Sequence, residues 1–150
     1  MILGLLLQEI TEGTEKSMHP LFSKANSLTE HIIAGAIEVH IDKGPGLIES
    51  VYEWCLSREL ELRRLPFVNQ KLVKICYKRF VRDEPLRFDV LVSDCVLVEI
   101  KVVERVLPIH KAQLLSYMKL LDIPLGLLIN FHEVKLTDGV SRLILPGANL

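Results

Sequence analysis

The 150-residue chain reads as an α/β protein, a sandwich in which helices flank a mixed β-sheet. Three observations predict this. Two stretches with helical apolar spacing fill the chain from about residue 25 to residue 64. Three segments enriched in β-branched residues then follow one another as far as Val103. One more helical stretch separates them from two last strand-like segments, and that order requires a single sheet of mixed direction covered by helices.

Residues 1 to 24 read as an N-terminal tail. Met1-Ile-Leu-Gly-Leu-Leu-Leu7 is apolar, but it has no basic flank, is too short for a secretory signal and runs into Gln8-Glu9. Met18-His-Pro precedes the first helix signal, so Met18 is a second candidate for the natural start. No run reaches the ~18 apolar residues of a membrane span. The first helix is predicted from Ser27, where Ser27-Leu-Thr-Glu30 forms a capping box, and its stripe of Leu28, Ile32, Ile33, Ala36, Ile37 and Val39 ends near His40 to Asp42. Lys43-Gly-Pro-Gly46 breaks it. Leu47, Val51, Cys55, Leu56, Leu60 and Leu62 then continue a helical face to about Arg64, closed by Pro66.

The segments Leu72 to Tyr77, Leu86 to Val92 and Val96 to Val103 are predicted as an antiparallel meander, with Asp83-Glu-Pro85 as its first turn. Pro108 opens a third helix to about Leu121, with Leu114, Leu115, Met118 and Leu121 as its buried stripe. Ile123 to Asn130 is a buried strand and Ser141 to Leu145 an edge strand.

With 49% hydrophobic residues over its 150 positions, the chain is expected to form one domain, residues 25–150, and to bury roughly two-thirds of its unfolded surface. Cys55, Cys76 and Cys95 lie in apolar segments without a C-x-x-C pair, which points to reduced core thiols and a cytoplasmic protein. Trp54 and Tyr77 are expected in the core. Net charge is −1, which argues against a grip on nucleic acid by the whole surface. The distribution is uneven: nine Lys/Arg against four acidic residues fall between Arg58 and Arg87, suiting either a phosphate backbone or an ordinary solvated face.

Charge inside the predicted strands is the main functional signal. Asp89 lies in the second strand, and Glu99 and Lys101 lie in the third, among Val, Leu and Ile. Burying such groups costs several kcal/mol unless they are paired or hold a metal. Residues two apart on a strand share a face, so Glu99 and Lys101 project together, away from Val98, Ile100 and Val102. A two-residue turn at Ser93-Asp94 would put Asp89 on the wrong face. A three-residue loop, Ser93-Asp94-Cys95, pairs Val92 with Val96 and Asp89 with Glu99, and either such an odd-numbered loop or a bulge is expected. Two carboxylates so close repel unless a divalent cation lies between them, and hard oxygen ligands favour Mg2+ or Mn2+.

From about Leu28 to Leu145 the chain resembles the GxxExxY proteins, a branch of the PD-(D/E)XK nuclease superfamily. Four separated elements carry the resemblance: Gly46-Leu-Ile-Glu49-Ser-Val-Tyr52, Asp89 in Phe-Asp-Val-Leu-Val, Glu99-Ile-Lys101, and Gln113-Leu-Leu-Ser-Tyr117. Phe88-Asp89 stands where the family's Pro-Asp is usual. The resemblance implies a restriction-endonuclease-like fold and a Mg2+-dependent nuclease acting on DNA. Asp89, Glu99, the Ile100 carbonyl and Glu49 would hold the metal, Lys101 would orient or deprotonate the attacking water, and Gln113 with Tyr117 would touch the scissile phosphate or brace Lys101. A homodimer is also plausible, since nucleases of this fold often cut both strands in pairs.

Each residue has an ordinary competing role. Asp89 and Lys101 could form a structural ion pair, Glu49 could serve the helix dipole, and Gln113 and Tyr117 could be a solvated amide and an interfacial aromatic. His110 is expected to cap a helix or lie on the surface. A degenerate nuclease fold that only binds nucleic acid or protein is the alternative function.

Overall fold

The structure, a computed structural model, describes residues 18–150, so residues 1–17, most of the expected tail, lie outside it. Helices α1 (Phe22–Lys43) and α2 (Glu49–Leu62) come first, followed by strands β1 (Phe67–Tyr77), β2 (Phe80–Val92) and β3 (Val96–Lys101). Helix α3 (Pro108–Leu121), strand β4 (Leu125–Asn130), a short 3-10 turn (Leu136–Gly139) and strand β5 (Val140–Ile144) complete the chain. The element order is the predicted one. The five strands lie in the order β1-β2-β3-β4-β5, antiparallel except for the parallel pair β3-β4 that α3 connects.

Alternation along the strands divides the core into two layers. Val90, Val92, Val96, Val98 and Ile100 face α1 and α2, with Ile32, Ala36, Leu56 and Leu60 filling that layer. Leu91, Leu97 and Leu128 face α3, where Leu114, Met118 and Leu121 cover them. β4 is buried along its whole length because helices cover both of its faces. Gly126 permits the α3 contact: a Cβ there would lie 2.6 Å from the Met118 sulfur.

Several boundaries differ from those predicted. α1 begins at Phe22, because His19 caps the chain there: its ring nitrogen accepts the Leu21 N–H at 3.1 Å and its carbonyl accepts that of Phe22 at 2.9 Å. Ser27 is therefore inside the helix, and its hydroxyl donates to the Lys24 carbonyl instead of capping. The first turn of the meander is Lys78-Arg79, not Asp83-Glu-Pro85, which runs within β2. Pro85 is tolerated there because β2 pairs with β3 only from Val90 to Val92, so beyond that β2 has β1 on one side alone.

The β1-β2 hairpin thus runs past the rest of the sheet. That overhang leaves Tyr77 67% exposed, and Trp54 is 62% exposed on the outer face of α2, so neither joins the core as expected. The three cysteines are all unpaired, but only Cys95 is buried; Cys55 is half-buried and Cys76 lies exposed on the overhang. Among the described residues no helix is long and apolar enough to cross a membrane.

Candidate active site

The loop Ser93-Asp94-Cys95 has the expected odd length. Val92 stands opposite Val96, Leu91 opposite Leu97 and Val90 opposite Val98. Ser93 and Asp94 take the left-handed conformation, with φ of 50° and 57°, which lets a short loop reverse the chain in this register. The ladder then stops one residue before Asp89.

β1 also changes register there. Val68 stands opposite Leu91, yet Gln70 stands opposite Arg87, so Phe88-Asp89-Val90 bulge against the single residue Asn69. The bulge bends β2 away from β3 and opens a gap. The Asp89 carboxylate fills it, accepting the Ile100 N–H at 2.7 Å in place of a backbone carbonyl. A strand residue sends its N–H and C=O to the same side, so the Ile100 carbonyl also faces this gap.

Glu99 and Lys101 are on the α3 side of β3 and form an ion pair at 3.2 Å, both largely shielded from water. Lys101 is therefore paired with Glu99 and not with Asp89, and the structural Asp89–Lys101 pair weighed from the sequence does not form. A cavity of about 150 Å³ beside them is lined by Arg87, Phe88, Asp89, Leu97, Glu99, Leu114 and Tyr117. Tyr117 is brought to it by α3 and is 37% exposed. Gln113, one turn earlier, is exposed and does not line the cavity.

Burial pushes the Asp89 carboxyl up to about 6, against the opposing effect of the Ile100 N–H. Glu53, Glu49 and Glu99 raise it further by repulsion. Glu53 is itself raised, by burial and then by Glu49. Glu53 was not singled out from the sequence. It shares a second cleft with Asp89, Arg87 and Asn69 on the other side of the gap. The available signal was its spacing, four residues after Glu49 and hence on the same helix face.

The Gly46-to-Tyr52 motif builds the arm that carries these glutamates. Gly44 and Gly46 have φ of 70° and 92°, open to glycine at no steric cost. The buried Tyr52 hydroxyl donates to the Gly44 carbonyl and accepts the Leu47 N–H at 3.1 Å, and its ring stacks on Phe131 at 4.5 Å. Tyr52 thereby ties the loop down and sets where α2, and so Glu49 at its first turn, begins.

Behind the site, the buried Asn130 side chain holds the exit of β3. Its oxygen accepts the Val103 N–H at 3.1 Å and its NH2 donates to the Val103 carbonyl at 2.7 Å. His110 is a cap, as expected, its ring accepting the Leu107 N–H at 3.0 Å.

The donor set is one of hard oxygens: the carboxylates of Asp89, Glu99, Glu53 and Glu49, with the Ile100 carbonyl. It fits a divalent cation, because crowding that raises carboxylate pKa values is relieved by a cation among them. Among the described residues, however, no three His, Cys, Asp or Glu side chains already converge as a ligand group.

An antiparallel β2-β3 pair carrying an acid on one strand and Glu-x-Lys on the next, in a mixed sheet between helices, defines the class of restriction-endonuclease-like domains. A family model described as the PD-(D/E)XK nuclease superfamily matches residues 26–143, and the chain belongs to that superfamily. No curated protein and no solved structure matched the chain.

Proposed function

We propose that the protein is a Mg2+-dependent nuclease of the GxxExxY branch that hydrolyses phosphodiester bonds in DNA. The observation that carries the proposal is the Asp89 carboxylate, pinned to the Ile100 N–H in a gap crowded by further acids and flanked by the Glu99–Lys101 pair. Superfamily membership supports the reaction class.

Asp89, Glu99 and the Ile100 carbonyl are the groups that would hold the cation, with Glu49 and Glu53 completing its shell. When bound, a divalent cation polarises the scissile phosphate and acidifies a water. Lys101 supplies a fixed positive charge beside the phosphate, its position set by Glu99 and by the β3-β4 ladder. Tyr117 presents a phenol to the same cavity, while Gln113 extends that helix face toward an approaching strand. The shielded walls formed by Leu97 and Leu114 raise the strength of each of these interactions.

One observation favours a second reading, a nucleic-acid-binding module that no longer cuts: the acidic side chains repel one another without converging as a ligand group among the described residues. Calorimetric titration of Mn2+ into wild type and Asp89→Ala separates the two, followed by incubation with labelled DNA and RNA. Binding and DNA cleavage that both disappear in Asp89→Ala are expected. Cleavage that survives in Asp89→Ala would overturn the site.

A further inference from the structure

The overhanging β1-β2 hairpin has a second function to offer. Past Lys71 and Leu86, it pairs rung by rung to Tyr77 opposite Phe80, closed by Lys78-Arg79. Tyr77 and Phe80 are directly opposed, on one face, and 67% and 60% exposed. An isolated hydrophobic rung in water gains little where it stands, since no layer covers it. Each ring carries a cation over one face: the Lys78 ammonium lies 5.4 Å from the centre of Tyr77, and the Arg79 guanidinium 4.9 Å from that of Phe80. Lys78 and Arg79 form no ion pair among the described residues, whereas Lys71, Lys74 and Arg82 lower on the hairpin pair with Asp94, Asp83 and Glu84.

Positive charge thus gathers, without compensation, around the two exposed rings. The other end of the hairpin is the site itself, because Arg87, Phe88 and Asp89 belong to the same strand and Arg87 lines both clefts around Asp89. From Asp89 to Phe80 is about 30 Å at ~3.3 Å per strand residue, the length of roughly nine stacked nucleotides at ~3.4 Å each.

We propose that this hairpin is an arm that binds single-stranded nucleic acid, its bases stacking on Tyr77 and Phe80 and its phosphates held by Lys78 and Arg79. As a statement about substrate class it rests on the nuclease reading of the Asp89 site: the strand gripped at the tip runs along β2 toward the place of cutting. Two adjacent rings, each with a cation over one face and the other face left for stacking, suit unpaired bases, whereas a duplex keeps its base faces covered.

The test is fluorescence anisotropy with a labelled single-stranded DNA of about 20 nucleotides in EDTA, using the full chain. One variant is Tyr77→Thr/Phe80→Thr, which keeps strand propensity. The other is Lys78→Gly/Arg79→Asn, which removes both charges and puts glycine where Lys78 has φ of 55°. Thermal melting by circular dichroism checks that both stay folded. The first variant is expected to bind about tenfold or more weakly. The second should also flatten the slope of log K against log salt by about 1.4, at ~0.7 for each lost phosphate contact.

Wild-type affinity in folded arm variants would overturn the proposal. So would equal binding of a blunt duplex that is indifferent to the Thr substitutions, or variants that change only the oligomeric mass and thereby mark the hairpin as a self-association surface. Hairpin-dependent binding by a wild-type protein that cuts nothing with Mn2+ would uphold the arm and overturn the nuclease reading alone.

Discussion

The Asp89 carboxylate occupies the backbone position that a strand partner would otherwise fill on Ile100, accepting its N–H at 2.7 Å. Such a carboxylate completes the sheet and costs stability at once. Its pKa in the folded protein, about 6, lies above the ordinary 3.8, so between those values the native state binds the proton more tightly than the unfolded chain. The stabilisation linked to that proton is fully present below about pH 4 and is lost as pH rises through about 6, with a ceiling of about 3 kcal/mol. Asp89→Asn keeps an oxygen for Ile100 and sheds the charge. It should therefore melt a few degrees higher than wild type at about pH 8, match it at about pH 4, and have no nuclease activity. A lower melting temperature at about pH 8 would show that the carboxylate is held by a stabilising partner instead.

The same repulsion predicts the effect of a cation. Mn2+ at about a hundredfold excess over its dissociation constant should stabilise the wild-type fold by about 2.7 kcal/mol, read as a rise in melting temperature. Glu53→Gln should weaken Mn2+ binding about tenfold or more, because Glu53 is the acid that most strongly raises Asp89 by charge. Unchanged affinity in Glu53→Gln would place that residue outside the metal shell.

Tyr52→Phe removes one hydroxyl from between Gly44 and Leu47. Urea denaturation should show a loss of about 0.5–1.5 kcal/mol, the usual net worth of a hydrogen bond, because Gly44 is only partly buried and Leu47 is exposed, so water can take over their backbone groups. Cleavage should fall as well, since the loop that fixes the start of α2 also fixes Glu49. If stability drops while cleavage persists, Glu49 is not needed at the site.

Gly126→Ala tests the seating of α3. The added Cβ would lie 2.6 Å from the Met118 sulfur and 3.2 Å from the Leu114 side chain, forcing the helix off β4. Overpacking of this kind costs about 1–3 kcal/mol, measurable as a lower melting temperature. Tyr117 moves with α3, so activity should drop at temperatures where the variant is still folded. Wild-type activity there would remove Tyr117 from the site.

Much of the molecule was legible from local pattern. The order of elements followed from helical and strand periodicities, and the placement of Glu99 and Lys101 opposite Ile100 and Val102 followed from the pleat alone. An odd loop at Ser93-Asp94-Cys95 or a bulge could each bring Asp89 to the Glu99 face, and the structure has both: Val92 stands opposite Val96, and β2 bulges at Asp89. The motif Gly46-to-Tyr52 was legible as a signature, but the roles of its members were not: Tyr52 is a brace, and its partners Gly44 and Leu47 are fixed only by the folded loop.

What the sequence determined by itself was which segments could be helix or strand and which charged residues would stand in apolar surroundings. Those are properties of spacing over a few residues. Only the tertiary structure decided that β3 ends its pairing with β2 at Val90, that Phe88-Asp89-Val90 bulges against Asn69, and that Glu53 shares a cleft with Asp89. It also decided that Tyr77 and Trp54, apolar by type, stay in water. A strand or helix pattern says which residues share a face, but whether another layer covers that face depends on where distant segments stop. That is why the hairpin overhang and the acidic gap emerged only once the chain was folded.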